Sequence, residues 1–559
     1  RVNGDDSESR WHGMPQIAID PNNPRHVVIT ARHQQPDGST SCEAHTSYDA
    51  MATFSHAEVP VPASCARFNT VQRIDVAVGS NSKAYVAADG PEQAYVVPSS
   101  DGGLTFEAPV VADPVAGSRI RLAVRATPGA PDQLFVARQG SEQGSTPILN
   151  VGGAQIAAVS VSTDGGETFA PRVRANEASL GAEGPRIAVG PEGRVYVLYT
   201  TPPPANAALP PAQVRLARSL DNGKTWLRPD VVVEPSITPA PSGELNNYWP
   251  NLAVDQTSGG VYVTWSDERD GDADVWFRRS LNGGESFEGI QRLSHHPPKD
   301  GFFEYRSSLA VSPTGRLEAV YYEAQNTCPG QSIPCYTTNV FQRTSTDQGA
   351  TFGPQIQLNE RSFDYRLRRG AFQNGDIRDV DSAVAAADQV SYAVWLDTQL
   401  GSADNYNRDI FGVRAQLAPF VRIIPPPRFV VVPQAPPVLE APPPPPPPPL
   451  PAPPTPIPPA APIVPTQPPP LLSASAPVPV AAPLIAPAPG PEAEPQPGYQ
   501  EATVRHHDAR NAALLGLGVT GGVGVIALCL ALAAGSASAP RPAVHTLGDG
   551  HRRRSSRRT

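Results

Sequence analysis

Cysteine is scarce, five in 559 residues, and four of the five fall into near pairs, Cys42 with Cys65 and Cys328 with Cys335. That is too few for a disulfide-built core, and no CxxC or Cys/His spacing offers a zinc site. The pairs read as two loop staples, Cys42–Cys65 and Cys328–Cys335, formed in an oxidising compartment. Charge is also thin, at 17%, and bases (44) fall short of acids (53). From Gly535 onward six arginines against Asp549 give +5, so residues 1–534 hold −14 of the net −9. An acidic body lacks the basic face that nucleic acid requires. Asn-x-Ser/Thr is absent from residues 1–511, which favours a bacterial over a eukaryotic surface protein.

Proline is the residue in excess. Of 68 prolines, 33 lie between Pro425 and Pro497, and Pro442–Pro449 is unbroken. Such a segment buries no core and favours polyproline II, so it reads as a semi-rigid stalk of up to ~220 Å at ~3.1 Å per residue. Docking of a proline-binding domain is the alternative. Ala512–Ala534 carries no charge over 23 residues and includes the fifth cysteine, Cys529. At ~1.5 Å per residue it covers about 35 Å, enough to cross a ~30 Å hydrocarbon core. The arginines of Arg552–Arg558 behind it place the C-terminus inside and residues 1–511 outside. The opening at Arg1 suits a removed signal peptide. Gly516, Gly518 and Gly521 spell GxGxxG, but within an apolar run and outside a βαβ unit the match is false. The expected organisation is a head over 1–424, a linker over 425–510, a membrane helix over 511–534 and a basic cytoplasmic tail over 535–559.

The head is periodic. An octet, Ser-x-Asp-x-Gly-x-Thr-aromatic, runs Ser99–Phe106, Ser162–Phe169, Ser219–Trp226 and Ser345–Phe352. Two degenerate copies are Ser280–Phe287, with Asn282 for Asp, and Ser47–Phe54, with Met51 for Gly. Successive starts lie 52, 63, 57, 61 and 65 residues apart, the length of a four-stranded sheet with its loops. Asp and Ser/Thr side chains brace a tight turn, Gly supplies a positive φ, and the aromatic packs beneath. On these octets, with Asp49, Asp101, Asp164, Asp221, Asn282 and Asp347 as turn residues, the chain resembles the BNR/Asp-box, sialidase-like β-propeller superfamily over Met14 to Leu417.

A second repeat counts the blades of this all-β fold. Hydrophobic-Ala-hydrophobic strands centre on Ala18, Ala77, Ala123, Ala188, Ala253, Ala310 and Ala383, which predicts seven blades, with six as the alternative. The seventh unit has no octet and is the natural place for ring closure. Strand alternation suggests that the alanines face the channel axis while larger neighbours pack between blades. Two residues earlier come Gln16, Asp75, Arg121, Arg186, Asn251, Ser308 and Asp381, and two earlier again Met14, Arg73, Arg119, Gly184, Trp249, Arg306 and Asp379. The expected ligand-binding mouth is therefore Arg73, Arg119, Arg121, Arg186, Trp249, Arg306, Asp379 and Asp381.

The resemblance implies a carboxylate held by three arginines, met here by Arg73, Arg186 and Arg306. It also implies a tyrosine nucleophile with a glutamate, and an aspartate acid/base. The residues of the right type are Tyr248, Tyr305, Glu304 and Asp75. The family's early Arg-Ile-Pro is missing, Met14-Pro15-Gln16 standing in its place, and adjacent Glu304 and Tyr305 point to opposite strand faces. No cofactor is expected. Acid-rich Asp267–Asp274 could take calcium but lacks EF-hand spacing and reads as a solvated loop. The expected function is a membrane-anchored surface propeller binding an extracellular glycan or protein. An exo-α-sialidase-type glycoside hydrolase is second, and a structural envelope protein third.

Overall fold

The computed structural model describes residues 1–3, 11–34, 39–62, 73–90, 92–141, 155–202, 211–238, 250–327, 336–364, 382–400 and 408–417. They form seven antiparallel sheets, each built from consecutive strands. Blade 1 is β1 (Trp11–Asp20), β2 (Asn23–Gln34), β3 (Thr40–Ser47) and β4 (Ser55–Glu58). Blade 2 is β5 (Ile74–Val78), β6 (Ala84–Asp89), β7 (Ala94–Ser99) and β8 (Val110–Asp113). Blade 3 is β9 (Gly117–Arg125), β10 (Gln133–Ser141), β11 (Gln155–Ser162) and β12 (Val173–Arg174). Blade 4 is β13 (Glu183–Val189), β14 (Val195–Thr200), β15 (Val214–Ser219) and β16 (Val231–Glu234). Blade 5 is β17 (Asn251–Val254), β18 (Val261–Asp267), β19 (Asp274–Ser280) and β20 (Gln291–Arg292). Blade 6 is β21 (Phe302–Val311), β22 (Leu317–Asn326), β23 (Tyr336–Ser345) and β24 (Ile356–Gln357). Blade 7 has three strands, β25 (Ser382–Ala386), β26 (Val390–Asp397) and β27 (Asp409–Gln416).

First strands contact one another in cyclic order, β1, β5, β9, β13, β17, β21, β25 and back to β1, so the ring is a seven-bladed propeller and the six-bladed alternative falls. The second strands β6, β14, β18 and β26 are buried at every residue, as expected of a strand covered on both faces by neighbouring blades. Closure falls on the box-free blade. Val2 N–H donates to Ile410 O (2.8 Å), Ile410 N–H to Asn3 Oδ1 (2.9 Å) and Asn3 Nδ2 to Asp409 Oδ1 (2.6 Å).

The alternation of the first strands is as expected, but its direction is not. Blade sheets stand face to face, so a strand's two faces meet the two neighbouring blades, and only its edge meets the channel. Val76 and Val78 pack in the cluster shared with blade 1, whereas Ala77 packs in the one shared with blade 3. Ile187 and Val189 face blade 3 and Ala188 faces blade 5; Leu309 and Val311 face blade 5 and Ala310 faces blade 7. The alanines therefore face the following blade and not the axis. Polar residues two positions earlier share that phase and stitch the ring. Asp75 Oδ2 accepts Leu122 N–H of blade 3 (2.9 Å), Arg186 Nε donates to Pro250 O of blade 5 (3.2 Å), and Ser308 Oγ accepts Val384 N–H of blade 7 (3.2 Å).

The octets join third strands to fourth. In each intact copy the serine hydroxyl donates to the aspartate, at 2.7 to 2.8 Å, and accepts the N–H of the fifth residue, as Gly103 gives Ser99 Oγ at 2.7 Å. The threonine N–H and hydroxyl close on the same carboxylate. The aromatic then packs toward the preceding blade: Phe106 between blades 1 and 2, Trp226 between 3 and 4, Phe352 between 5 and 6. Each such ring is partly buried and so contributes less than the ~1.5–3 kcal/mol of a fully buried side chain. Met51 takes the left-handed φ of 68° where other octets have glycine, and its side chain is accommodated by Gly412 on β27, where a Cβ would sit 2.4 Å from Met51 Cε.

Cys42 is disulfide-bonded. Its expected partner Cys65, the Cys328–Cys335 pair, the proline-rich linker, the apolar run at 512–534 and the basic tail lie outside the described residues. Among the described residues no helix is long and apolar enough to cross a membrane.

Candidate anion-binding cleft

Four arginines from three consecutive blades converge where β5, β9 and β13 begin. Arg73, Arg119, Arg121 and Arg186, with Gly184 and Pro185, line a cavity of about 190 Å³ counting its open mouth. Its enclosed part is only about 10 Å³, room for about one water, so a ligand could present a single anionic group at its mouth and not a whole oligosaccharide. Asp75 lies beneath it, buried, with Oδ1 on Val76 N–H and Oδ2 on Leu122 N–H. Burial pushes its carboxyl above the ordinary value, while Arg121, those two N–H groups and Arg186 pull the other way. Asp75, where ionised, offsets part of the guanidinium charge gathered there. Bidentate N–H donors suit a carboxylate or sulfate there.

A β-bulge shapes the cleft. The β9–β10 register slips between Arg121 and Ser118, and Arg119 adopts φ 61°. The slip turns Ser118, not Arg119, onto the face of Arg121, and Arg119 Nη1 reaches Gln139 Oε1 at 2.5 Å. Gly184 N–H donates to the same oxygen (3.0 Å), which ties blade 4 to blade 3 at the cleft wall. Equivalent slips occur in β1, β13 and β21, with Met14 (φ 55°), Gly184 (φ 57°) and Arg306 (φ 53°) in the left-handed region. Four of the seven positions in the second ring (Met14, Arg119, Gly184 and Arg306) are thus bulged, and counting by twos does not cross them.

The expected three-arginine set is not assembled. Arg73 and Arg186 line the cleft, but Arg306 does not; it is buried in blade 6, where its carbonyl accepts the Ser382 hydroxyl (3.0 Å). Glu304 and Tyr305 diverge as the alternation requires. Tyr305 is fully buried between blades 6 and 7, its ring 5.6 Å from that of Tyr322, and burial holds its phenol far above the ordinary value. Glu304 turns toward blade 5, where burial, then Asp274 and Glu323, push its carboxyl up to about 9. His296 beside it meets Asp300 (Nδ1, 2.9 Å) and Glu323 (Nε2, 3.3 Å). Tyr248, Trp249, Asp379 and Asp381 lie outside the described residues. In the acid-rich loop, Asp267 accepts Trp265 Nε1–H (3.0 Å) and Arg269 Nε–H (2.8 Å), and Asp272 accepts the Lys299 and Asp300 N–H groups. These acids brace turns.

Two groupings escaped the sequence. Arg138, fully buried, joins Asp89 (2.9 Å) to Asp113 (3.5 Å), and Asp89 also accepts the N–H groups of Arg73 (3.2 Å) and Ile120 (2.9 Å), anchoring the cleft's floor. The recurrence of Asp at second-strand ends (Asp89, Asp267, Asp397) was the available signal. The other is a histidine cluster on blade 1, where His12, His33 and Glu43 bring their ligand atoms within 4.8 Å of one another. No short motif announces it, because three strands contribute.

No family model matches the chain, and no curated protein is similar to it in sequence. Among solved structures it is similar to a Hadza microbial sialidase, at 14% identity over 70% of this chain and 76% of that one, with a TM-score of 0.36. An ulvan lyase, a polysaccharide lyase, is similar at 11% identity over 72% and 93% of the two chains, TM-score 0.43. An α-L-arabinanase from Penicillium chrysogenum is similar at 13% over 53% and 93%, TM-score 0.32. These likenesses are of fold alone, a β-propeller that glycoside hydrolases and lyases share.

Proposed function

We propose that the head is a sialidase-like propeller of the Asp-box type that binds an acidic glycan through the Arg73–Arg119–Arg121–Arg186 cleft. In this reading residues 1–424 are displayed outside a bacterial cell on the proline-rich linker and anchored by the apolar run at 512–534. The observation that carries the binding role is the convergence of four guanidinium groups on one small cavity. A local field of this sign attracts an anion although the head as a whole is acidic.

The test is a binding titration of the full chain with sialylated, uronate-containing and neutral oligosaccharides. Acidic ligands should bind and neutral ones should not. A charged hydrogen bond contributes ~1.5–3 kcal/mol, so Arg119→Ala should weaken binding at least about tenfold. Arg414→Ala, exposed on β27, serves as the neutral control. Equal affinity for neutral and acidic ligands overturns the reading. If Arg119→Ala lowers only stability, the charges at the mouth are structural pairs.

A hydrolase reading has one observation in its favour: Glu304 keeps its proton at neutral pH, the state a general acid needs. Tyr305 beside it is sealed in the core and faces the other way. We therefore expect no turnover of a fluorogenic sialoside. Turnover abolished by Glu304→Gln or Tyr248→Phe would promote the enzyme instead.

A further inference from the structure

The first blade carries most of its histidines on one face. His12 on β1 stands opposite His33 on β2, Glu43 on β3 stands opposite Ala31, and His45 stands opposite both Ile29 and His56. Ile29 and Ala31 share that face and pack against Val394 and Ile410 of blade 7. The cluster therefore sits at the seam where the ring closes. His12, His33 and His45 are buried, and the side chain of Glu43 is 21% exposed.

We propose that this cluster is a binding site for a divalent transition-metal ion of the zinc class, held by His12, His33 and Glu43, with His45 as the fourth ligand. The rings of His12 and His33 stack at 4.5 Å. His33 Nδ1 contacts Glu43 Oε1, while His12 Nε2 and His45 Nε2 each lie 3.8 Å from Glu43 Oε2. Zinc bonds of ~2.0–2.2 Å to nitrogen and oxygen set tetrahedral ligand atoms about 3.3–3.6 Å apart. The two 3.8 Å pairs need only a small contraction to reach that, while the closer His33–Glu43 pair has to open.

Supporting contacts fix where the ring protons lie, and an ion would tilt the stacked rings of His12 and His33 out of their 8° parallel arrangement. His12 Nδ1 lies 3.2 Å from Arg408 O, so its proton belongs there and Nε2 presents a lone pair toward Glu43. His45 Nδ1 meets His56 Nδ1 at 2.5 Å; a proton on the His45 side turns the Nε2 lone pair toward Glu43 Oε2, 3.8 Å away. Imidazole with one carboxylate suits zinc, cobalt or nickel rather than calcium or magnesium, which take oxygen. Because β1 also receives Arg408 O on the His12 N–H (3.1 Å), an ion here would clamp the strand that meets blade 7.

The test uses the full chain, dialysed against chelator and titrated with cobalt(II). One equivalent should give the intense visible absorption of four-coordinate cobalt, and zinc should displace it. Glu43→Gln and His33→Asn, each checked as folded by circular dichroism, should lose the absorption; His296→Ala should keep it. Zinc should raise the thermal midpoint of the wild type and leave those of Glu43→Gln and His33→Asn unmoved. Absorption that survives in both blade-1 variants, or disappears in His296→Ala, overturns the proposal. So does a folded wild type that binds no cobalt.

Discussion

The octet glycine is one place where neighbouring blades approach closely, and one substitution series measures that approach. At Gly349, φ is +76° and an added Cβ would lie 2.5 Å from Phe277 Cζ, 2.8 Å from its Cε1 and 3.1 Å from Leu317 Cδ1. Gly349→Ala therefore incurs two costs. A left-handed alanine costs ~1–2 kcal/mol, and overpacking a close-packed seam adds ~1–3 kcal/mol. Gly129, at φ +78° with nothing within 4 Å, isolates the first cost; Gly289, with no positive φ and open space, has neither. In urea titrations followed by tryptophan fluorescence, Gly349→Ala should lose about 2–5 kcal/mol and Gly129→Ala about 1–2 kcal/mol. Gly289→Ala should be neutral or gain up to ~1 kcal/mol from a stiffer unfolded chain. Equal losses at Gly349 and Gly129 would show that the turn does not press on blade 5, and the reasoning about octet packing would fail.

The octet carboxylates predict acid sensitivity. Asp49 is held at about 2 by the Thr53 hydroxyl and N–H, then by Ser47; at Asp101 and Asp164 burial pushes upward but the same kinds of hydrogen bond outweigh it, again to about 2. Since the folded values lie below the unfolded ~3.9, this stability is present above ~4 and is lost as pH falls through about 2. Denaturation midpoints should fall between those limits, and the double variant Asp101→Asn, Asp164→Asn should show a shallower decline. Arg138→Leu should cost ~3–5 kcal/mol, because it strands Asp89 as a buried charge and leaves Asp113 only Arg172, at 3.5 Å. A loss below ~1 kcal/mol in a urea titration would mean that water reaches them.

Blade number was legible because each blade repeats two local signals, the octet and the alanine-centred strand, and both depend on neighbours in sequence. Direction was not. Whether Ala77 faces the axis or blade 3 depends on how whole sheets stand to one another, and alternation alone is blind to that. The cleft was half legible: Arg73, Arg119, Arg121 and Arg186 were among the expected residues, but the bulge at Arg119 separates its face from that of Arg121. Arg306, chosen by the same counting, falls in a blade on the other side of the ring. The His12, His33 and Glu43 grouping needs three strands in register, which only the folded sheet supplies.

Ring closure also dictates an order of events. The hydrogen bonds Asn3 gives to Asp409 and accepts from Ile410 N–H span 406 and 407 residues. Closing a loop of that length costs on the order of 5 kcal/mol of chain entropy, shared with the Val2–Ile410, His12–Arg408 and Tyr392–Pro24 contacts that close with it. Each blade can assemble from its own hairpins, but this seam has to wait for all of them. Until then β27 shows an open edge, the kind of strand that pairs with the wrong chain. Residues 1–3 precede every blade in the sequence and dock after the last, so the ring is sealed by a segment that has to wait for all seven blades.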